Sequence, residues 1–290
     1  MFKKILLLFL LLCIGTGLAY QFWLKPTVEK EASASLAEIL RMQGLEAKEP
    51  IKASLATFTR TLSIEPFEVK PIPLLGLEAG RFAPSRVRLT WYGLLACTEY
   101  GKKWLPKEGD VKLVEEGLLD ALSIKAKQAS MTCSNLAVED VSLPAQTLLR
   151  FLNSQDAPNM RPPFSFSRMK VGKTEIEANE PKKINLHLGP MTMEGLSQTK
   201  LATLLIRDML IQENGQEMLR LGSLRQEDIQ LFSQDEWATL IAKMSLGSSQ
   251  KQQDALIDLF CGDKPLVGYT EITDLLATVE KNPLKIHQIT

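Results

Sequence analysis

The chain has 290 residues, room for one large domain or two small ones. An apolar fraction of 45% and a charged fraction of 23% are those of a folded protein, which excludes disorder as the default state of the body. Lys+Arg and Asp+Glu are 34 each, so the formal net charge is zero, and the basic excess that phosphate neutralisation demands of a nucleic-acid binder is missing.

The N-terminus opens with Lys3 and Lys4, followed by 20 uncharged residues, Ile5 to Leu24. That length suits a hydrocarbon core of roughly 30 Å. A transmembrane helix is the expectation, with Ile5, Leu8 and Leu12 in the span and Tyr20 and Trp23 in an aromatic belt at the far interface. Lys3 and Lys4 keep the N-terminus inside. The reading is a single-pass protein of a bacterial inner membrane, with its C-terminal domain in the periplasm. The alternative is a secretory signal cleaved after Ala19, where Gly17 and Ala19 supply the small residues. Cys13 lacks the small preceding residue of a lipoprotein signal, because Leu12 stands there.

Residues 26–62 read as a helical stalk. Leu36, Ile39, Leu40 and Leu45 recur at helical spacing, and a second short helix is expected through Leu55, Phe58, Thr59 and Leu62. A first β-rich unit is expected over 63–153. "IEPFEVKPIPLLGLEAGRF" carries three prolines and reads as extended chain at a sheet edge. "RVRLTWYG" alternates, with Val87, Leu89 and Trp91 on one face. "LLDALSIKAKQ" and "LAVEDVSL" continue in strand period. Pro144 then breaks the pattern and "AQTLLRFLNS" reads as a short helix. Ser154–Pro163 is the linker candidate.

A second β-rich unit is expected over 164–247. "FSFSRMKV", "TEIEA", "INLHL" and "MTMEGL" are short alternating runs in the manner of a β-meander. "TKLATLLIRDMLIQENG" suits a helix or a long strand, and the strand pattern that follows it favours the strand. Ser233 and Glu236 form a capping box for a helix buried through Trp237, Leu240, Ile241 and Met244. Residues 248–290 read as a helical C-terminal part, with Leu256, Ile257 and Phe260 inward and a last helix near Thr273–Glu280. The predicted class is α+β: a transmembrane helix, a β-rich antiparallel meander body with short helices, and a more helical C-terminal part.

One phrase occurs twice. Leu119–Leu143 laid on Arg207–Leu231 gives seven identities in 25 positions, among them Asp120/Asp208, Glu139/Glu227 and Asp140/Asp228. Leu149/Trp237 and Leu152/Leu240 extend the match. The reading is a repeated strand–strand–helix unit. Paired carboxylates can serve a metal or acid–base chemistry. Strand alternation, however, sends Glu139 and Asp140 to opposite faces, and Glu227 and Asp228 likewise, so a solvated strand edge is the expectation.

Candidate chemistry is otherwise sparse. Gly172-Lys173-Thr174 ends like a phosphate-binding loop, but position 167 is Ser rather than Gly, so a hairpin turn is expected there. There are two histidines: His187 lies in an alternating strand and His287 near the C-terminus. Neither has partners at triad or zinc spacing. Outside Cys13 there are three cysteines and no CxxC. Cys97 with Cys133 is the candidate disulfide, and burial as small free thiols is the competing reading. No catalytic residue, cofactor or metal site is predicted, and the expectation is a protein that is not an enzyme.

The short basic N-terminus, the apolar span and the segment Pro71-Ile-Pro-Leu-Leu-Gly-Leu77 leading into strands resemble the AsmA-like envelope proteins of Gram-negative bacteria. The resemblance implies a membrane-anchored periplasmic protein acting in envelope lipid homeostasis, with no catalytic residues. The functional expectation is therefore lipid binding along a β-sheet. The alternative is an adaptor of an envelope assembly, docking a protein through a sheet edge or through Phe67–Phe82.

Overall fold

The structure, a computed structural model, describes residues 20–42, 45–56, 59–71, 77–98, 101–153, 164–179, 183–197, 199–231, 267–279 and 282–289. It is predominantly antiparallel β-sheet. The chain forms two compact units. The first takes the described residues of Met1–Asp120 and Val141–Pro162; the second takes those of Ala121–Asp140 and Pro163–Thr290.

In unit 1 a π-helical turn, Tyr20–Leu24, leads into helix α1, Lys25–Met42. Val28, Ala32, Leu36 and Leu40 recur every fourth residue and place one stripe of the helix against the sheet. The strands that follow are β1 (Ala53–Leu55), β2 (Thr61–Ile64), β3 (Phe67–Val69), β4 (Leu77–Phe82) and β5 (Ser85–Leu89). Helix α2 (Trp91–Ala96) and a 3₁₀ turn (Gly101–Trp104) precede the long strand β6 (Asp110–Ala126). Strands β1, β2, β5 and β6 pair in that order, β3 pairs β4, and β4 pairs β6. Val28, Leu55, Leu62, Leu89 and Leu94 make one buried cluster; Leu40, Ile51 and Val69 make another. The Glu29 carboxylate accepts the backbone N–H of Leu55 at 2.7 Å and ties α1 to the sheet edge.

Strand β7 (Ala129–Pro144) runs back from β6, and Pro144 delivers the chain into helix α3 (Ala145–Asn153). In α3, Ala145 and Leu148 are buried with Leu105 and Val111. Unit 2 continues with β8 (Phe166–Val171), β9 (Thr174–Ala178), β10 (Ile184–Leu188), β11 (Met191–Leu196), β12 (Lys200–Glu213), β13 (Gln216–Gln230), β14 (Tyr269–Val279) and β15 (Asn282–Ile289). Strands β8 and β9 lie end to end along β7, in one register: Ala137↔Lys170 and Cys133↔Thr174. Strands β11 and β10 lie end to end along β12 in the same manner: Met191↔Ile206 and His187↔Leu210. Strands β12, β13, β14 and β15 then pair in order.

Several expectations are corrected. The transmembrane helix is not found: among the described residues no helix is long and apolar enough to cross a membrane. The long helix α1 starts at Lys25, where the span was to end, and carries Glu29, Lys30, Glu31, Glu38 and Arg41 beside a stripe that packs on protein. Membrane attachment through an N-terminal span, and the single-pass inner-membrane placement built on it, are therefore not supported. Ile5, Leu8 and Leu12 lie outside the described residues; Tyr20 and Trp23 fall in the π-helical turn.

The short helix expected through Leu55–Leu62 is instead β1 and β2, with Leu55 paired to Leu62. A seven-residue separation fits two helical turns as well as a cross-strand pair, and burial decided for the pair. Trp91 belongs to α2 rather than to a strand. Thr90 ends the extended run because its hydroxyl caps the helix, accepting from the Gly93 N–H at 3.0 Å. The C-terminal part is not helical over 269–279 and 282–289; these are strands β14 and β15. The expected helices over Ser233–Phe260 lie outside the described residues. Among the described residues the fold is thus mainly antiparallel β-sheet with a few helices, rather than the expected α+β class.

Candidate functional site

Four aspartates in unit 2 hold left-handed backbone angles inside long strands: Asp140 (φ 58°), Asp208 (φ 53°), Asp228 (φ 55°) and Asp274 (φ 51°). Asn135 does the same at φ 51°. Only Gly enters this region freely, and Asn and Asp are the next most tolerant. A left-handed residue between extended ones redirects the strand. No extra residue is inserted, because the cross-strand register is the same on both sides of Asp208 and Gly222.

The registers align these residues with glycines. Gly189 lies opposite Asp208, Asp208 opposite Gly222, and Gly222 opposite Asp274. Six residues along, a second line runs Asp140, Ser167, Gly195, Ala202, Asp228, Gly268. Gly195 has φ +65°. Close approach explains the glycines. A Cβ on Gly189 would sit 2.5 Å from the Arg207 carbonyl oxygen, and one on Gly268 would sit 2.9 Å from the Asp228 Cβ. Asn135 faces Gly172 in the same relation.

The two lines frame a panel of sheet across β8, β11, β12, β13 and β14, and strand alternation gives it two unlike sides. One side is polar and lines a depression of about 600 Å³. Strand β8 contributes Arg168 and Lys170, β11 Thr192 and Glu194, β12 Thr203, the apolar Leu205 and Arg207, β13 Ser223 and Arg225, and β14 Glu271 and Thr273. Arg168 reaches Glu194 at 3.0 Å and Glu139 at 3.8 Å, Arg225 reaches Glu227 at 2.5 Å, and the Ser223 and Thr273 hydroxyls hydrogen-bond at 2.8 Å. The interleaved residues point the other way. Met169, Met193, Leu204, Ile206, Leu224 and Ile272 form an apolar stripe, and each is only half-buried. The three clusters of buried apolar residues found among the described residues all lie in unit 1. On the apolar side of the panel Val171 is buried, and the six stripe residues are half-buried among the described residues.

The acidic doublets are placed individually. The Asp140 carboxylate accepts from the Ser167 hydroxyl at 2.9 Å, Glu139 pairs with Arg168, and Asp228 pairs with Lys200 at 2.7 Å. Among the described residues no group of three His, Cys, Asp or Glu side chains comes together to hold a metal. The two matched segments both form an antiparallel strand pair, and Asp140 and Asp228 share the left-handed angle, whereas Asp120, the match of Asp208, is not left-handed. Trp237 and Leu240 of the match lie outside the described residues.

Cys97 and Cys133 are both free, so the candidate disulfide is not formed. Cys133 is buried and its sulfur accepts from the Thr174 hydroxyl at 3.4 Å. Burial pushes the Cys97 thiol up to about 11; the negative charge of Glu31 adds to this and Lys102 opposes it. His187 stands 3.7 Å from Glu175, and His287 3.7 Å from Asp274. Gly172-Lys173 is not a hairpin turn. The chain runs straight on from β8 to β9 along β7, and Gly172 is the small residue against Asn135. Phe67 and Phe82 stack on each other at 4.6 Å beside the Leu40–Ile51–Val69 cluster, so those rings serve the fold. Of the Pro71–Leu77 motif, residues 72–76 lie outside the described residues.

Neither the panel nor its two lines was anticipated from the sequence. The signal was present as polar–Asp–apolar at Glu139-Asp140-Val141, Arg207-Asp208-Met209, Glu227-Asp228-Ile229 and Thr273-Asp274-Leu275. It needs the facing glycine to be read, and that residue is close in space but distant in sequence. No family model, curated protein or solved structure matches this chain.

Proposed function

We propose that the chain is a non-enzymatic binding protein that holds a lipid-like ligand along the apolar side of the unit 2 panel. The observation that carries this reading is the stripe Met169, Met193, Leu204, Ile206, Leu224 and Ile272, half-buried on a sheet with no buried apolar cluster of its own among the described residues. A contiguous apolar surface is a mark of a binding site. From β8 to β14 the stripe crosses four inter-strand gaps, roughly 19 Å at the usual strand spacing, which suits a long acyl chain. Two methionines give it the adaptable lining that a flexible chain needs. The resemblance of Pro71–Leu77 to AsmA-like proteins is in keeping with lipid handling.

The test is binding of a fluorescent fatty acid to the full chain. Saturable binding is expected, weakened about tenfold or more by Ile206→Glu, because a carboxylate would then face the acyl chain. Thr192→Glu, on the polar side, is expected to leave it intact. Absence of binding, or equal loss in both variants, contradicts the reading.

A further inference from the structure

The polar side of the panel carries a second site. We propose that it binds a phosphate-type oxyanion, held by Lys170, Arg207 and the Thr192 hydroxyl between them. The depression there is lined by four cations, Arg168, Lys170, Arg207 and Arg225, against two carboxylates, Glu194 and Glu271. Two of the four cations are already engaged, Arg168 with Glu194 at 3.0 Å and Arg225 with Glu227 at 2.5 Å. Lys170 and Arg207 are exposed and have no carboxylate partner among the described residues.

Their placement is convergent. Lys170 is the direct cross-strand partner of Thr192, and Thr192 is the partner of Leu205. Arg207 stands two residues beyond Leu205, on the same side of β12, opposite Ser223. Two strand spacings and two residues put the Lys170 and Arg207 backbones roughly 12 Å apart, within the joint reach of two long side chains meeting over Thr192. An ammonium, a guanidinium fork and a hydroxyl form a donor set for a tetrahedral dianion, and the arginine fork matches two of its oxygens at once. The engaged ion pairs on either side hold the flanking charges in place.

This site lies across the sheet from the apolar stripe and does not depend on it. The chemistry fits inorganic phosphate, and equally the phosphate of a lipid headgroup. The experiment is an NMR titration of the full chain at low ionic strength with inorganic phosphate, and in parallel a sedimentation assay with phosphatidylglycerol–phosphatidylcholine vesicles. Saturable binding is expected in at least one arm. Lys170→Ala and Arg207→Ala should each weaken it about tenfold or more, the usual loss for a charge-assisted hydrogen bond. Lys48→Ala, in unit 1, should not. Loss in the phosphate arm assigns a free anion; loss in the vesicle arm alone assigns a headgroup. Both substituted residues are exposed, and unchanged circular dichroism shows that the variants fold. No binding in either arm, or binding that survives both substitutions, overturns the proposal.

Discussion

Asp208, Asp228 and Asp274 occupy backbone angles that cost a β-branched residue of the order of 1–3 kcal/mol. Asp208→Gly is therefore expected to stay within about 1 kcal/mol of the parent, while Asp208→Val loses about 2 kcal/mol or more in urea unfolding. Equal stability of the two variants would show that the angle is not required. The facing glycines divide in the same way. Gly189→Ala would drive a Cβ to 2.5 Å from a backbone oxygen, whereas Gly222→Ala meets the Asp274 Cβ at 3.0 Å. The first is expected to cost more, about 2–3 kcal/mol. Cys97 supplies a pH test. Its thiol is raised from 9.0 to about 11 in the folded chain, so the protonated form stabilises the fold. That contribution is complete below pH 9.0 and is lost as pH rises to about 11, amounting to about 3 kcal/mol. Cys97→Ala should remove this alkaline loss from the stability profile. At this scale the sequence displayed Asp140 and Asp228 as halves of acidic doublets and gave Asp208 and Asp274 no such mark, since charge is visible along a chain and a left-handed angle is not.

At the scale of elements, alternation and caps carried most of the reading. Strands β8, β9, β10 and β11 appear where short alternating runs predicted them, and α3 appears after Pro144. The misreadings share a cause: local period was matched by two structures, and tertiary pairing chose between them. Leu55 and Leu62 suit a helical face but pair across β1 and β2. The run near Thr273–Val279, read as a helix, is part of strand β14, with Asp274 left-handed within it. Helix α1 was read as a stalk because its charges were visible and its partner sheet was not. Its docking rests partly on Glu29, whose carboxylate takes the Leu55 N–H. Glu29→Ala is expected to cost about 1–3 kcal/mol and to speed amide exchange at Leu55, with Glu29→Gln losing less. Unchanged exchange in Glu29→Ala would remove the carboxylate from the account of this edge.

At the scale of the molecule, two units of different construction share one chain. The described residues of unit 1 hold three buried apolar clusters, among strands and helices. Unit 2 has a sheet marked by two lines of left-handed residues and glycines, with a charged side and a half-buried apolar side. The β-rich body was legible in the alternation of its strands. The panel was not, because its width is set by residues six apart on each strand that become lines only when five strands stand in register. Its proposed function rests on the difference between its sides, which photo-crosslinking measures directly. A benzophenone side chain is placed at Met193, on the apolar side, or at its neighbour Thr192, on the polar side, and the full chain is irradiated with a long-chain fatty acid. The account predicts a covalent lipid adduct by mass spectrometry at position 193 and none at 192. Adducts at both positions, or at neither, would contradict it.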